Sequence, residues 1–319
     1  MQGIAVRKIC KFCSSEDSEI IFNHARFEQI NILRCKQCEL VCMELDKTDD
    51  EIIQHYRHDY RTRSAFPAQT PQYNYDHPVI IKDANKRTEW IKSVLPRGGK
   101  ILEIGAGSGR LVEKLKTEGY EVCGIELTEA FVNFSKNKGL RVLDKPIQDL
   151  NLKNEFDLVV TFHCFEHILQ PKETLIAVLR ALVPGGVFLG EVPSQDDWRI
   201  KIFDNYVAKR FHYDPNHYFY FNAKTLSNFL KDAGFADSQF STVERYNSLL
   251  QLTRIISGEY TRSNWEKTLE RDIYVEPKNY VSVREDGPEA ALFNEMFAGG
   301  VNSKLMGNCL RWVAKKSAR

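Results

Sequence analysis

The chain has 319 residues, 43% of them hydrophobic and 27% charged, which excludes a disordered or fibrous chain and leaves room for one large core plus a small module. The net charge of +1 argues against a polyanion binder held by bulk charge, so nucleic acid is a disfavoured partner. No apolar run is long enough to span a bilayer, and the first residues lack the apolar stretch of a signal peptide, so a cytoplasmic location is expected.

In chain order, four of the eight cysteines come first, as Cys10-x-x-Cys13 and Cys35-x-x-Cys38. Their clustering at one end argues against a disulfide scaffold. Two knuckles of two thiolates leave no open position on a tetrahedral ion, which predicts a structural zinc site. Cys42 reads as a spare ligand or as a small buried hydrophobe. Short alternating segments at Glu19–Phe22 and Gln29–Leu33 complete a zinc-ribbon module over residues 1–45. Residues 46–98 form a connector rich in tyrosine (Tyr56, Tyr60, Tyr73, Tyr75) with a helix over Asp83–Leu95.

From Lys100 strands and helices alternate. Strands are expected at Lys100–Ile104, Glu121–Ile125, Leu140–Leu143, Phe156–Phe162 and Val187–Val192. Helices are expected at Arg110–Glu118, Glu129–Lys138, Lys172–Leu182 and Ala223–Ala233. Two more strands are expected near Ser238–Val243 and Leu249–Ile255. This order predicts a doubly wound α/β fold with a seven-stranded, Rossmann-like sheet over residues 99–256, and ligands at the carboxyl ends of its strands. Beyond residue 257, Ser263-Asn264-Trp265-Glu266 has the form of a capping box. Pro288 opens a helix that Gly299-Gly300 breaks, and Val301, Leu305, Cys309 and Trp312 lie on one face of a last helix, so residues 257–319 read as a helical extension.

The loop Glu103-Ile104-Gly105-Ala106-Gly107-Ser108-Gly109 joins the first core strand to its helix. Glycines permit a tight turn and close approach of a ligand to the backbone. The spacing Gly-x-Gly-x-Gly differs from the dinucleotide pattern, which disfavours an NAD-dependent oxidoreductase, and Glu103 would repel a pyrophosphate. A ligand carrying a cationic amino group suits it better.

Ile101 to Gly109 resembles the first motif of class I S-adenosylmethionine-dependent methyltransferases. The resemblance implies that Glu103, Gly105, Ala106 and Gly107 hold the amino-acid part of that cofactor. It implies that Glu126, after the second strand, holds the ribose hydroxyls, and that Gln148 and Asp149 lie near the adenine. Phe162-His163-Cys164-Phe165-Glu166-His167 is similar to the family's Leu-Glu-His stretch, which puts His163 beside the cofactor. Leu182-Val183-Pro184-Gly185-Gly186 is similar to its Pro-Gly-Gly turn. With the cysteine ribbon, the whole resembles methyltransferases of sugars and secondary metabolites, whose acceptors are saccharides or other small molecules.

Residues 193–222 are an aromatic insert at the carboxyl end of the fifth strand, expected to cover the acceptor, with polar tips from Tyr206, Tyr213 and Tyr218. Asn216-His217-Tyr218-Phe219-Tyr220-Phe221 resembles the Glu-His-x-Tyr-x-Phe stretch of ribbon-bearing sugar C-methyltransferases, with Asn216 in place of the glutamate. That departure favours O-methylation, with N- and C-methylation left open. His217 is the first candidate general base, His163 the second, and Tyr60 a connector side chain directed to the site. The alternatives are a zinc-ribbon RNA methyltransferase and a binding module that keeps the cofactor fold without catalysis. A homodimer is compatible with this reading.

Overall fold

The computed structural model describes residues 9–25, 29–44, 51–52, 54, 70–202, 209–210, 212–245 and 288–318. They gather into two compact units. The first draws on residues 1–44, 192–225 and 240–311, and the second on residues 45–191, 226–239 and 312–319.

The larger sheet has seven strands. In chain order they are β4 (Lys100–Ile104), β5 (Glu121–Ile125), β6 (Val142–Leu143), β7 (Phe156–Phe162), β8 (Leu182–Pro193), β10 (Asp237–Val243) and β11 (Cys309–Lys315). Their spatial order is β10-β11-β8-β7-β4-β5-β6. β4 pairs in parallel with both β5 and β7, so the strand order reverses direction there. In sheets of this kind ligands bind beyond the carboxyl ends of the strands at such a switch point, here β4 and β7. Leu158, Val159 and Val160 of β7 are fully buried, as a continuous apolar run at the centre of a covered sheet requires.

Helices α1 (Pro71–Asp76) and α2 (Pro78–Val94) precede this sheet. α2 begins five residues before the expected Asp83, because His77 caps it and Pro78 stands at its first position. α3 (Arg110–Thr117), α4 (Glu129–Asn137), α5 (Pro171–Ala181) and α7 (Ala223–Ala233) follow the pattern read from sequence, and a short α6 (Trp198–Lys201) comes between the last two in the chain. β8 starts at Leu182 rather than Val187. Its pairing with β7 shifts register between Phe156 and Leu158, where the Pro184-Gly185-Gly186 turn is looped out of the ladder.

The C-terminal stretch departs from expectation. α8 (Pro288–Ser303) runs through Gly299-Gly300, neither of which takes a positive φ. The chain turns instead at Leu305, whose φ is 55°. Cys309–Lys315 is not helical but forms β11, between β10 and β8. Its Trp312 is 1% exposed, packs against Phe165 and Phe188, and covers Gly190, where any Cβ would overlap the indole. The expected strand Leu249–Ile255, the capping box at 263–266 and Tyr60 lie outside the described residues.

The other unit contains a four-stranded sheet in the order β1 (Ser18–Phe22), β2 (Ile32–Cys35), β3 (Val41–Met43), β9 (Phe219–Tyr220). Its fourth strand comes from the aromatic insert, so the ribbon and the insert share one sheet.

Candidate active site

The glycine loop is built as its composition demands. Gly105, Gly107 and Gly109 all have positive φ, at 82°, 54° and 77°. Gly105 and Ala106 both donate their N–H to Ile125 O at 2.9 Å, which ties the loop to the end of β5. A Cβ at Gly105 would stand 2.6 Å from both Cβ and Sγ of Cys164, so only glycine fits this cradle.

Glu103, the fourth residue of β4, is 4% exposed, and its Oε2 has no hydrogen-bond partner. Burial pushes its carboxyl pKa up to about 8; the positive Arg87 works against that rise and Glu126 adds to it. An orphaned buried oxygen is costly to leave unpaired and is well suited to an arriving ammonium group. Glu126 stands just after β5. Its Oε2 accepts from Gly107 N–H at 2.8 Å, and its Oε1 from the N–H groups of Leu127 and Thr128 at 2.9 and 2.8 Å. These bonds aim the carboxylate along the loop and use three of its roughly four acceptor positions. The donor set fits the amino-acid and ribose parts of S-adenosylmethionine.

Gln148 and Asp149 lie in a 3-10 turn, Ile147–Asp149, after β6. Gln148 is half-buried and accepts from Thr174 Oγ1 at 3.4 Å, while Asp149 is exposed. His163 follows β7 directly, with a φ of 50° that is rare outside glycine. Its ring nitrogens lie 3.0 Å from Glu191 Oε1 and 3.6 Å from Glu166 Oε1. Burial, reinforced by the charge of Glu166, pushes the Cys164 thiol pKa up, which keeps it from acting as a thiolate nucleophile at neutral pH.

Arg87 and Glu191 belong to this constellation although nothing in the sequence marked them. The Arg87 guanidinium lies 4.5 Å over the Phe162 ring and 3.7 Å from Glu191. Arg87 lies inside an ordinary amphipathic helix and Glu191 inside a buried strand. Neither belongs to a motif, and only the fold brings them to the carboxyl ends of β4, β7 and β8.

In the other unit the four cysteines converge. Cys10 and Cys38 sulfurs are 3.6 Å apart, Cys13 and Cys35 sulfurs 3.5 Å, and all four lie within 4.8 Å of one another. A disulfide needs about 2.05 Å, whereas a tetrahedral ion with metal–sulfur bonds of about 2.3 Å sets edges of about 3.8 Å. The two knuckles match in shape. Ser14 and Glu39, each following the second cysteine of its pair, both have positive φ and donate N–H to Cys10 O and Cys35 O. The four thiols can therefore hold one metal ion. Cys42 is half-buried, in β3.

In the insert, expected to cover an acceptor, most described rings pack inward. Tyr213, Tyr218, Phe219, Tyr220 and Phe221 are all 4% exposed or less. Tyr213 packs on Phe22 and Tyr220, and accepts from Gln195 Nε2 at 3.2 Å. These rings are the core of their unit, held by burial and edge-to-face contacts. Tyr206 lies outside the described residues. His217 is half-buried and donates its backbone N–H to Asp214 O at 2.9 Å. Asn216 donates from both its backbone and its side-chain nitrogen to Asp214 Oδ1, so it closes the turn ahead of β9.

No described helix is long and apolar enough to cross a membrane. A family profile described as a methyltransferase domain matches residues 81–239. The chain is 30% identical over 130 residues to the putative methyltransferase YqeM of Bacillus subtilis, covering 38% of this chain and 53% of that protein. It is 32% identical over 113 residues to a ubiquinone biosynthesis O-methyltransferase of Dechloromonas aromatica, covering 32% of this chain and 49% of that one. It is 26% identical over 233 residues to a tRNA U34 carboxymethyltransferase of Aliivibrio salmonicida, covering 66% of this chain and 68% of that one. The chain thus spans about half the length of the first two of these relatives. With the acid-and-glycine loop at the switch point of a seven-stranded α/β sheet, residues 81–239 form a methyltransferase domain of the class I S-adenosylmethionine-dependent kind.

Proposed function

We propose that the protein transfers a methyl group from S-adenosylmethionine to a hydroxyl of a small polar acceptor, with sugars as the first class to test. The observation that carries the cofactor assignment is the buried, unpartnered Glu103 Oε2 beside a loop of positive-φ glycines. Glu103 would receive the cofactor's amino group, and Arg87 its carboxylate. Glu126 would hold the ribose, with Gln148 and Asp149 near the adenine. The methyl donor is activated before it binds, so the chain's residues supply alignment and a proton acceptor. His217 and His163 are the two imidazoles offered for that role. The cysteine site would hold a structural zinc, its four soft ligands leaving no open position.

The O-methylation reading is favoured by the missing glutamate before His217 and by the likeness to a ubiquinone biosynthesis O-methyltransferase. The test is transfer of isotope-labelled methyl from S-adenosylmethionine to a panel of nucleotide sugars, small phenols and bulk tRNA, after calorimetry with S-adenosylhomocysteine. Labelled sugar or phenol supports the proposal. Labelling of tRNA alone moves the protein to the RNA-modifying class. Cofactor binding without transfer to any member of the panel counts for the binding-module alternative.

A further inference from the structure

Glu191 holds His163 twice. The backbone N–H of His163 donates to Glu191 O at 2.8 Å, and the ring Nε2 lies 3.0 Å from Glu191 Oε1. The carboxylate is 5% exposed, and the Arg87 guanidinium stands 3.7 Å from the same oxygen. The Arg87 guanidinium can only donate, so the Glu191 oxygen that it shares with the ring is placed as an acceptor. The ring nitrogen facing it must therefore carry the proton. The opposite nitrogen, Nδ1, faces Glu166 Oε1 at 3.6 Å, too far for a direct hydrogen bond but close enough for a charge to be felt. The ring is 20% exposed, so it is not sealed off.

From this geometry we infer that Glu191 is a positioning residue that locks His163 in its Nε2–H form and leaves Nδ1 as the basic nitrogen of the site. This rests on the methyltransferase reading above. As the acceptor oxygen forms its bond to the methyl carbon, the carbon–sulfur bond breaks and its electron pair stays on sulfur. The hydroxyl proton passes to His163 Nδ1. The resulting imidazolium lies between two carboxylates, Glu191 on the Nε2 side and Glu166 on the Nδ1 side, and later returns its proton to solvent. Arg87 acts one step further out, facing the same Glu191 oxygen at 3.7 Å and favouring its role as acceptor. The positive φ of His163 fits this role, since the strained backbone is what brings both its N–H and its ring to the same glutamate.

The experiment is nitrogen NMR of histidine-labelled full-length protein at a pH where the His163 ring is neutral, with the His163 signals assigned by their loss in His163→Gln. The expected wild-type result is a single tautomer protonated at Nε2. In Glu191→Ala that preference is lost and the two tautomers mix. Glu191→Gln, whose amide oxygen can still accept, retains it. A wild-type ring protonated at Nδ1 overturns the inference outright, and this reading needs no variant to fold. An unchanged Nε2–H tautomer in folded Glu191→Ala overturns it as well. Calorimetry with S-adenosylhomocysteine is run on the same samples. Loss of binding in the wild type would sink the methyltransferase reading while leaving the tautomer result standing, so the two failures are separable.

Discussion

Cys42 faces Phe219 across an antiparallel pair of strands, and the next pair is Val41 with Tyr220. Met43 N–H donates to Tyr218 O at 3.0 Å, and Lys224 forms an ion pair with Glu39 at 2.7 Å. The second cysteine knuckle is thereby joined through β3 to the segment that carries His217. We expect one zinc ion per chain by elemental analysis. Stripping the metal, or Cys35→Ser, should raise hydrogen exchange at the amides of 218–221 at least as much as in the knuckles. Affinity for S-adenosylhomocysteine should change far less. Protein that carries no metal and keeps those amides protected would refute this.

The second prediction follows from the Glu103 carboxyl, whose pKa is raised to about 8 mainly by burial. The free protein holds a proton there at neutral pH, whereas a ligand ammonium favours the ionised form. Binding must then release a proton below pH 8. Affinity for S-adenosylhomocysteine should strengthen as pH rises from about 6 to 8, approaching tenfold per unit in the steepest part. Glu103→Gln should flatten the profile and lower affinity. Calorimetry in buffers of different ionisation heat counts the released proton directly. The same shift makes a stability statement. The unfolded carboxyl ionises near 4.5, so the contribution of the protonated folded group is present below that pH and is lost as pH rises towards 8.

Gly105→Ala tests the cradle. The substitution forces a Cβ onto a backbone with φ of 82° and into the Cys164 side chain. Strain of about 1–3 kcal/mol is expected, and it should fall on the loop itself. Cofactor-product affinity should drop by tenfold or more while the melting temperature shifts by only a few degrees. Affinity equal to wild type would show that the loop does not meet the ligand.

Trp312→Ala addresses the C-terminal strand. Removing a fully buried indole that packs on Phe165 and Phe188 should cost about 3–5 kcal/mol, read by denaturant unfolding. Were residues 309–315 a peripheral helix, the cost would stay near or below about 1 kcal/mol.

In the other unit, burial lowers the His212 pKa to about 4. The neutral ring is kept in the folded state while the unfolded ring protonates below about 6.5. Its contribution is whole above pH 6.5 and erodes as pH falls towards 4, by an amount on the order of 3 kcal/mol. Acid unfolding followed by tyrosine fluorescence should therefore begin near pH 6 and move lower in His212→Phe. An unmoved midpoint would count against this assignment.

The sequence by itself determined the glycine loop and the two acids beside it. β5 and β7 begin and end where their apolar runs do, since a strand covered on both faces has no polar alternation to blur its limits. Glu103, the glycine loop and Glu126 stand together because strand, turn and helix are local in sequence. Their spacing transmits geometry directly. The paired cysteines converge for the same local reason. Only the tertiary structure decided what depends on distant segments. Val301, Leu305, Cys309 and Trp312 fit a helical stripe, yet Leu310, Trp312 and Ala314 also alternate inward as a strand does. The choice fell to the open edge of β8 and to the space above Gly190, neither visible from residues 301–315. The insert read as an open aromatic surface, but an edge of the ribbon sheet drew Phe219 and Tyr220 into pairing and buried the rings around them. Arg87 and Glu191 carry no motif and lie 104 positions apart in sequence. Glu191 meets His163 because β7 and β8 pair in parallel, and Arg87 reaches Glu191 from helix α2.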